Sequence, residues 1–355
     1  MTGDPLAEQE GSLFLALLER VLEREPPDVV VTYGGHWLAR AIREAVGRRG
    51  IPLVFWLRNL DYVRAETFAG VNGVLVPSSF VREHYRQVLG LSCITVPSPV
   101  AWQRVLCPDG QRRYLTFVNP DRDKGLFVFA RIAVELARRR PDIPLLVVEG
   151  RGRADALWDT GLDLRGLVNL YVMGNTPDPR DFYRVSRALL VPSLWAEPSS
   201  RVAVEALGNG IPVLASKRGG LPETLAEAGF LFEVPDRYTR QSALVPSAAE
   251  VGPWVETVLR LWDDGAFYEN ERRRCLAAAR AWQPERLGPA YEAFLEQVCR
   301  SASPRPVAAT PADASLDDLV ADQGAGLPPL ARASRPHGAI RAFLTPDAML
   351  RAPCS

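Results

Sequence analysis

Lysine is nearly absent from this chain. Of its 42 basic residues only Lys124 and Lys217 are lysines, so each retained lysine is a position to account for. Net charge is absent too: 42 acidic residues balance the basic ones, which leaves no global field to favour nucleic acid or an anionic membrane. No apolar run approaches the roughly 20 residues of a membrane span. The first residues, MTGDPLAEQEG, are acidic and lack the basic and apolar regions of a secretory signal. Five cysteines (Cys93, Cys107, Cys275, Cys299, Cys354) occur without CxxC spacing, which excludes a thiolate metal site and a disulfide frame and reads as reduced thiols. The expected location is therefore the cytoplasm, with membrane contact at most peripheral at the inner face.

What is present is an alternation of apolar runs with amphipathic stretches. At 355 residues, 47% of them hydrophobic, the chain has room for two cores and a tail. The pattern predicts a helix over 12–24 with Ser12 as its cap, a strand at DVVVT, a helix from HWLARAIREAV to Gly50, strands at IPLVFWL and VNGVLV, a helix capped by Ser78 or Ser79, and a strand at SCITV. AWQRVLCPDGQRR (101–113) reads as a linker. The alternation restarts with strands at YLTFVNP, IPLLVVEG and LVNLYVMG and a helix, PRDFYRVSRALLV, that runs into a strand, and it ends in helices over 251–263 and 267–299, interrupted near Trp282 and Pro284. Strands that are apolar throughout and alternate with helices indicate parallel sheets covered on both faces. The expected fold class is α/β, with two Rossmann-type doubly wound domains around a cleft. Beyond 300 the composition turns to Ala, Pro and Ser (SASPRPVAATPADAS), expected to be a disordered tail with one transient helix over 316–320.

The most informative stretch is LLVPSLWAEPSSRVAVEALGNGIPVLASKRGGLPE (189–223). It reads as strand, polar turn, short helix, strand and glycine turn, and ligands of such units sit where strands hand over to helices. Glu197 and Glu205 bracket the helix start, with seven residues between them. Two readings of Glu205 stand. It can form an i,i+4 ion pair with Arg201; or it can accept hydrogen bonds from a vicinal diol such as a ribose. Pro198, Ser199 and Ser200 suit a helix N-terminus, whose free N–H groups on Ser200, Arg201 and Val202 suit a phosphate. An anion site and a diol acceptor about one turn apart match a nucleoside diphosphate.

Two further turns are candidates. Asn119-Pro120-Asp121-Arg122-Asp123-Lys124-Gly125 places cations between a strand and a helix N-terminus; alternatively it is a solvated turn capped by Asp121 or Asp123. It lacks the Gly-x4-Gly-Lys-Ser/Thr spacing of a P-loop. Glu149-Gly150-Arg151-Gly152 allows a ligand close to backbone, or is a plain surface turn. His36 after Gly34-Gly35 either faces the cleft or simply begins a helix.

The order FVNPDRDKG, VMGNTPDPRDFYRVSRALLVPSLWAEPSSRVAVEALGNGIPVLAS and GGLPE resembles the carboxyl-terminal domain of glycosyltransferase family 4, the group 1 type: retaining, nucleotide-sugar-dependent enzymes of GT-B fold. The resemblance runs from about 27 to 295. It implies a first domain over 1–104, a donor-binding domain over 105–283, and a crossover helix over 284–300 ahead of the tail, 301–355. It implies that Lys124 holds the donor diphosphate and Glu197 contacts the transferred sugar, both with catalytic roles, and that Glu205 takes the ribose. Residues 198–201 (Pro198, Ser199, Ser200, Arg201) would cradle the phosphates, with the base near Gly150 and 173–176, including Gly174 and Asn175. Gly34, Gly35, His36 and Arg58 would lie on the acceptor or sugar side.

Departures are informative. Asn119 stands where many relatives have arginine, so Arg122 is assigned the missing charge. Ser200 replaces a common glycine, and Arg58 stands where a histidine is common; it cannot act as a base but can hold an anionic group. Typical members begin with further strands and a glycine-rich turn, so the first domain is expected to be shortened, or the start site misassigned. The expected reaction moves a sugar from a nucleoside-diphosphate sugar to an acceptor hydroxyl, on a carbohydrate, a lipid-linked or a small molecule. No cofactor or nucleic acid is expected, and no DxD-type metal motif stands at a plausible site. The alternatives are a non-catalytic nucleotide-sugar-binding or scaffolding protein, and a GT-B phosphorylase or epimerase.

Overall fold

The computed structural model describes residues 5–108, 110–302 and 342–344. In chain order the elements are α1 (Pro5–Arg24), β1 (Val29–Thr32), α2 (Trp37–Arg48), β2 (Leu53–Trp56), β3 (Gly73–Val76), α3 (Ser79–Leu89), β4 (Ile94–Thr95), β5 (Tyr114–Val118), α4 (Leu126–Arg139), β6 (Leu145–Val148), β7 (Leu170–Met173), α5 (Arg180–Tyr183), β8 (Ser186–Val191), α6 (Arg201–Gly208), β9 (Val213–Ser216), α7 (Leu221–Leu225), β10 (Phe230–Phe232), α8 (Ala248–Asp263), α9 (Gly265–Ala278), α10 (Pro284–Ser301) and β11 (Ala342–Leu344). Strands apolar on both sides need cover on both sides. Accordingly β1, β6 and β9 are buried along their whole length.

The strands form two parallel sheets. The first has the order β11-β1-β2-β3-β4 and the second β10-β9-β8-β5-β6-β7. In the second sheet β5 pairs with β6 on one side and β8 on the other, so the winding reverses between β5 and β8. Crevices beyond the carboxyl ends of strands at such a reversal are where ligands of doubly wound sheets bind. Here that point is flanked by the turns carrying Lys124 and Glu197.

Several expectations are corrected. Helix α1 begins at Pro5, so Ser12 lies inside it. Within it Gly11 leaves room for the Trp37 ring, which an added Cβ would approach to 2.6 Å. The 101–113 segment is not a free linker. Trp102 is buried and donates from Nε1 to the Trp282 carbonyl at 3.2 Å, while the Cys107 N–H donates to Asn209 Oδ1 at 2.9 Å. The Trp102 ring occupies the space where Gly208 has no side chain. Helix α10 lies on the first sheet: Phe294 and Val298 pack over Gly73, and the Tyr291 hydroxyl donates to the Pro97 carbonyl at 3.0 Å. Ser301 continues α10; the rest of the tail beyond 302, including the helix expected over 316–320, falls outside the described residues except at 342–344, which pair in parallel with β1. No helix among the described residues is long and apolar enough to cross a membrane.

The two sheets meet at the mouth of the cleft. Ser78 caps α3, accepting from the Val81 N–H, and its hydroxyl donates to the Pro198 carbonyl at 2.5 Å. Glu223, in the first turn of α7, accepts from the backbone N–H groups of Ser79 and Phe80. A carboxylate at the start of α3 satisfies donors that a helix leaves unpaired. This contact joins the two halves.

Candidate active site

Lys124 reaches its position through backbone packing. Gly125 adopts φ +83°, and a Cβ there would sit 1.9 Å from the Pro192 carbonyl oxygen. The Asp123 carbonyl accepts from the N–H groups of Leu194 and Trp195 at 2.9 and 3.2 Å. The turn after β5 is thereby pinned against the turn after β8. Lys124 Nζ then lies 2.8 Å from Glu197 Oε1, and Ser193 Oγ donates to the same oxygen at 2.7 Å. Glu197 is held from behind as well, since its carbonyl accepts from the Gly220 N–H at 2.6 Å. Gly219 (φ +58°) sits so close to 196–197 that a Cβ would meet backbone at 2.5 Å. The glycine turn therefore shapes the Glu197 loop, and the Gly220 N–H is spent there, not on a ligand.

The cleft at this point has a volume of about 420 Å³, within the usual range for small-molecule sites. Of the residues proposed from sequence, Arg58, Asn119, Lys124, Glu197, Pro198, Ser199 and Arg201 line it. Its first-sheet wall adds Tyr33, Trp56, Asn59 and Asp61, and its second-sheet wall adds Trp195 and Arg240. Tyr33 and Asn59 adjoin positions singled out from sequence. Nothing in the local pattern around 240 signals that Arg240 stacks on Trp195, 4.5 Å from the ring centre, and pairs with Asp123 at 2.7 Å.

Other expectations change. Arg122, assigned the charge missing at Asn119, lies outside the cleft lining, with its guanidinium 5.8 Å from the Phe127 ring centre. Asn119 adopts φ +62°, a left-handed conformation that asparagine tolerates, and its Oδ1 accepts from the Gly152 N–H at 2.6 Å. Its side chain thus holds the 150–152 loop, with Gly150 packed against it. Gly174 and Asn175 are exposed at the end of β7, outside the cleft lining. Gly34, Gly35 and His36 also lie outside it: the Gly34 carbonyl accepts from Arg43, and His36 is the exposed N-cap residue of α2. Ser200 is the buried N-cap residue of α6.

Glu205 does not line the cleft. It is 6% exposed, accepts from the Tyr183 hydroxyl at 2.9 Å, and pairs with Arg201 at 3.3 Å. In this conformation the ion-pair reading of Glu205 holds, with Arg201 between it and the cleft. Burial, then the Glu205 carboxylate, pushes the Tyr183 hydroxyl well above its ordinary pKa, so it stays a donor. Arg58 sits on the opposite wall, its guanidinium 5.0 Å from the Trp56 ring centre. Burial, then the charge of Arg201, lowers its pKa. Among the described residues no cluster of three or more His, Cys, Asp or Glu side chains converges.

Residues 102–248 match the family model for glycosyl transferases group 1. The chain is 26% identical over 247 residues to lipopolysaccharide 1,2-N-acetylglucosaminetransferase of Salmonella typhimurium, covering 62% of each. It is 25% identical over 346 residues to D-inositol 3-phosphate glycosyltransferase 1 of Catenulispora acidiphila, covering 83% of this chain and 80% of that one. These are similarities to group 1 glycosyltransferases. The chain thus spans less than two thirds of the first relative's length. Among solved structures, Anabaena Alr3699/HepE in complex with UDP and glucose superposes with a TM-score of 0.58 at 18% identity, covering 82% of each chain. The fold is GT-B-like: two parallel α/β sheets facing across a cleft.

Proposed function

We propose that this chain is a retaining glycosyltransferase of family 4 that transfers a hexosyl unit from a nucleoside-diphosphate sugar to an acceptor hydroxyl, without a metal. The observation that carries the reading is the Lys124–Glu197 pair at 2.8 Å in the cleft, beside the start of α6. Lys124 and the first N–H groups of α6 would stabilise the charge that develops on the departing diphosphate, an electrostatic contribution made before the reaction begins. Glu197, fixed by Ser193 and Gly220, would orient the sugar hydroxyls. The acceptor oxygen attacks from the face the leaving group vacates, and its proton passes to a phosphate oxygen. Arg201 turns from Glu205 to the diphosphate, which frees Glu205 for the ribose. The Anabaena protein's bound UDP and glucose support a donor of this chemical class.

The test is thermal stabilisation by UDP, GDP and ADP. A ligand at about 100-fold excess over Kd adds roughly 2.7 kcal/mol. Incubation with the corresponding nucleotide sugars then reports transfer, and NMR of the product reports anomeric configuration. Failure of all three nucleotides at millimolar concentration would remove the donor assignment. Binding without turnover would select the scaffolding alternative, for which Asn119 in place of arginine is the supporting feature.

A further inference from the structure

The cations lining the cleft are not equivalent. Lys124 is paired with Glu197, Arg201 with Glu205 and Arg240 with Asp123, while Arg151, also without an ion pair among the described residues, is exposed to water. Arg58 is half-buried in the wall and, among the described residues, makes no ion pair with any carboxylate. Its neighbours are the Trp56 ring below it, the hydroxyls of Tyr33 and Tyr291, and Arg201, whose charge opposes its own. The Trp56 N–H on the same wall is buried without an acceptor. A guanidinium held partly out of water, facing a second cation, lacks the counter-charge that such burial calls for. Its planar fork matches a carboxylate or phosphate through two parallel hydrogen bonds.

We propose that Arg58 is a specificity residue that holds an oxyanion, carboxylate or phosphate, carried by the transferred sugar or by the acceptor and separate from the donor diphosphate. The inference rests on the glycosyl-transfer reading. Arg58 stands at the end of β2 on the first sheet, whereas Lys124 and the start of α6, the groups suited to the diphosphate, belong to the second. Asp61 lines the same wall without pairing with Arg58, so a substrate oxyanion would be the guanidinium's direct partner.

The experiment compares charged and neutral members of two substrate pairs on the whole chain. Affinity for UDP-glucuronate against UDP-glucose reports an oxyanion on the transferred sugar. Binding of glucose 6-phosphate against glucose, with UDP saturating, reports one on the acceptor. Wild type should prefer the charged member in one arm by about tenfold or more, the size of one charge-assisted hydrogen bond. Arg58→Gln should bring that ratio within about twofold, and Arg58→Lys should keep part of it, while UDP affinity stays within about twofold. Absence of preference in both arms overturns the proposal. So does a tenfold loss of UDP affinity in Arg58→Gln, which would put Arg58 on the diphosphate. Should Arg58→Gln not fold, the wild-type ratios and Arg58→Lys decide alone. Inorganic phosphate titrated into nucleotide-free wild type and Arg58→Lys separates the two readings: weaker phosphate binding in Arg58→Lys supports the oxyanion site even if no nucleotide binds, and equal binding counts against it.

Discussion

Breaking the Lys124–Glu197 pair separates a structural from a catalytic role. The two side chains are 17% and 6% exposed, so the pair is largely withdrawn from water. Removing one partner of a fully buried pair costs about 3–5 kcal/mol, because the other charge is left uncompensated. Here Lys124 retains some solvent and Ser193 still donates to Glu197, so Lys124→Met should cost about 2–3 kcal/mol. Glu197→Gln leaves an ammonium able to turn toward water, and should cost about 1 kcal/mol. The double variant has no stranded charge and should recover at least about 1 kcal/mol relative to Lys124→Met. Turnover should behave differently. Loss of one preorganised group facing developing charge costs about 10²–10³-fold in kcat, and the double variant should stay as inactive as Lys124→Met. Urea midpoints and turnover of the responsive nucleotide sugar give the two scales. If activity returned in the double variant along with stability, the pair would be a structural strut and the mechanism above would fail.

Gly125→Ala should destabilise by about 2–5 kcal/mol, from left-handed backbone strain and overpacking against Pro192, and should weaken nucleotide binding by displacing Lys124. An unchanged urea midpoint would contradict the packing described. The α8 N-terminus should be pH-sensitive. Hydrogen bonds from the Ser247 backbone N–H, then from Tyr238, hold the Glu250 carboxyl down at about 2. A depressed folded pKa gives stability that is fully present above the unfolded value near 4.5 and is lost as pH falls toward about 2. Glu250→Gln should therefore flatten the fall in melting temperature between pH 5 and pH 3 (about that window), read by circular dichroism; a slope equal to wild type would refute the assignment.

Element types were legible because apolar periodicity reports local burial. The runs DVVVT, IPLLVV and IPVLA read as strands covered on both faces, and their alternation with amphipathic stretches implied two parallel sheets. The candidate turns were legible for a related reason: strand ends that pass into helix starts carry lysine, glutamate and glycine without any core to fill. What no local pattern carries is the partner of a side chain distant in sequence. Lys124 and Glu197 lie 73 residues apart and meet because β5 and β8 pair at the reversal of the second sheet. Arg201 and Tyr183 close over Glu205, Asn119 turns to the 150–152 loop, and Glu223 crosses to α3, each through contacts fixed by how the sheets pack. The sequence by itself determined the elements, the architecture and the chemistry on offer. Tertiary structure decided which of those groups share the cleft, and left Arg58 there without a counter-charge, because side-chain pairing depends on strand order and on the facing of the two sheets.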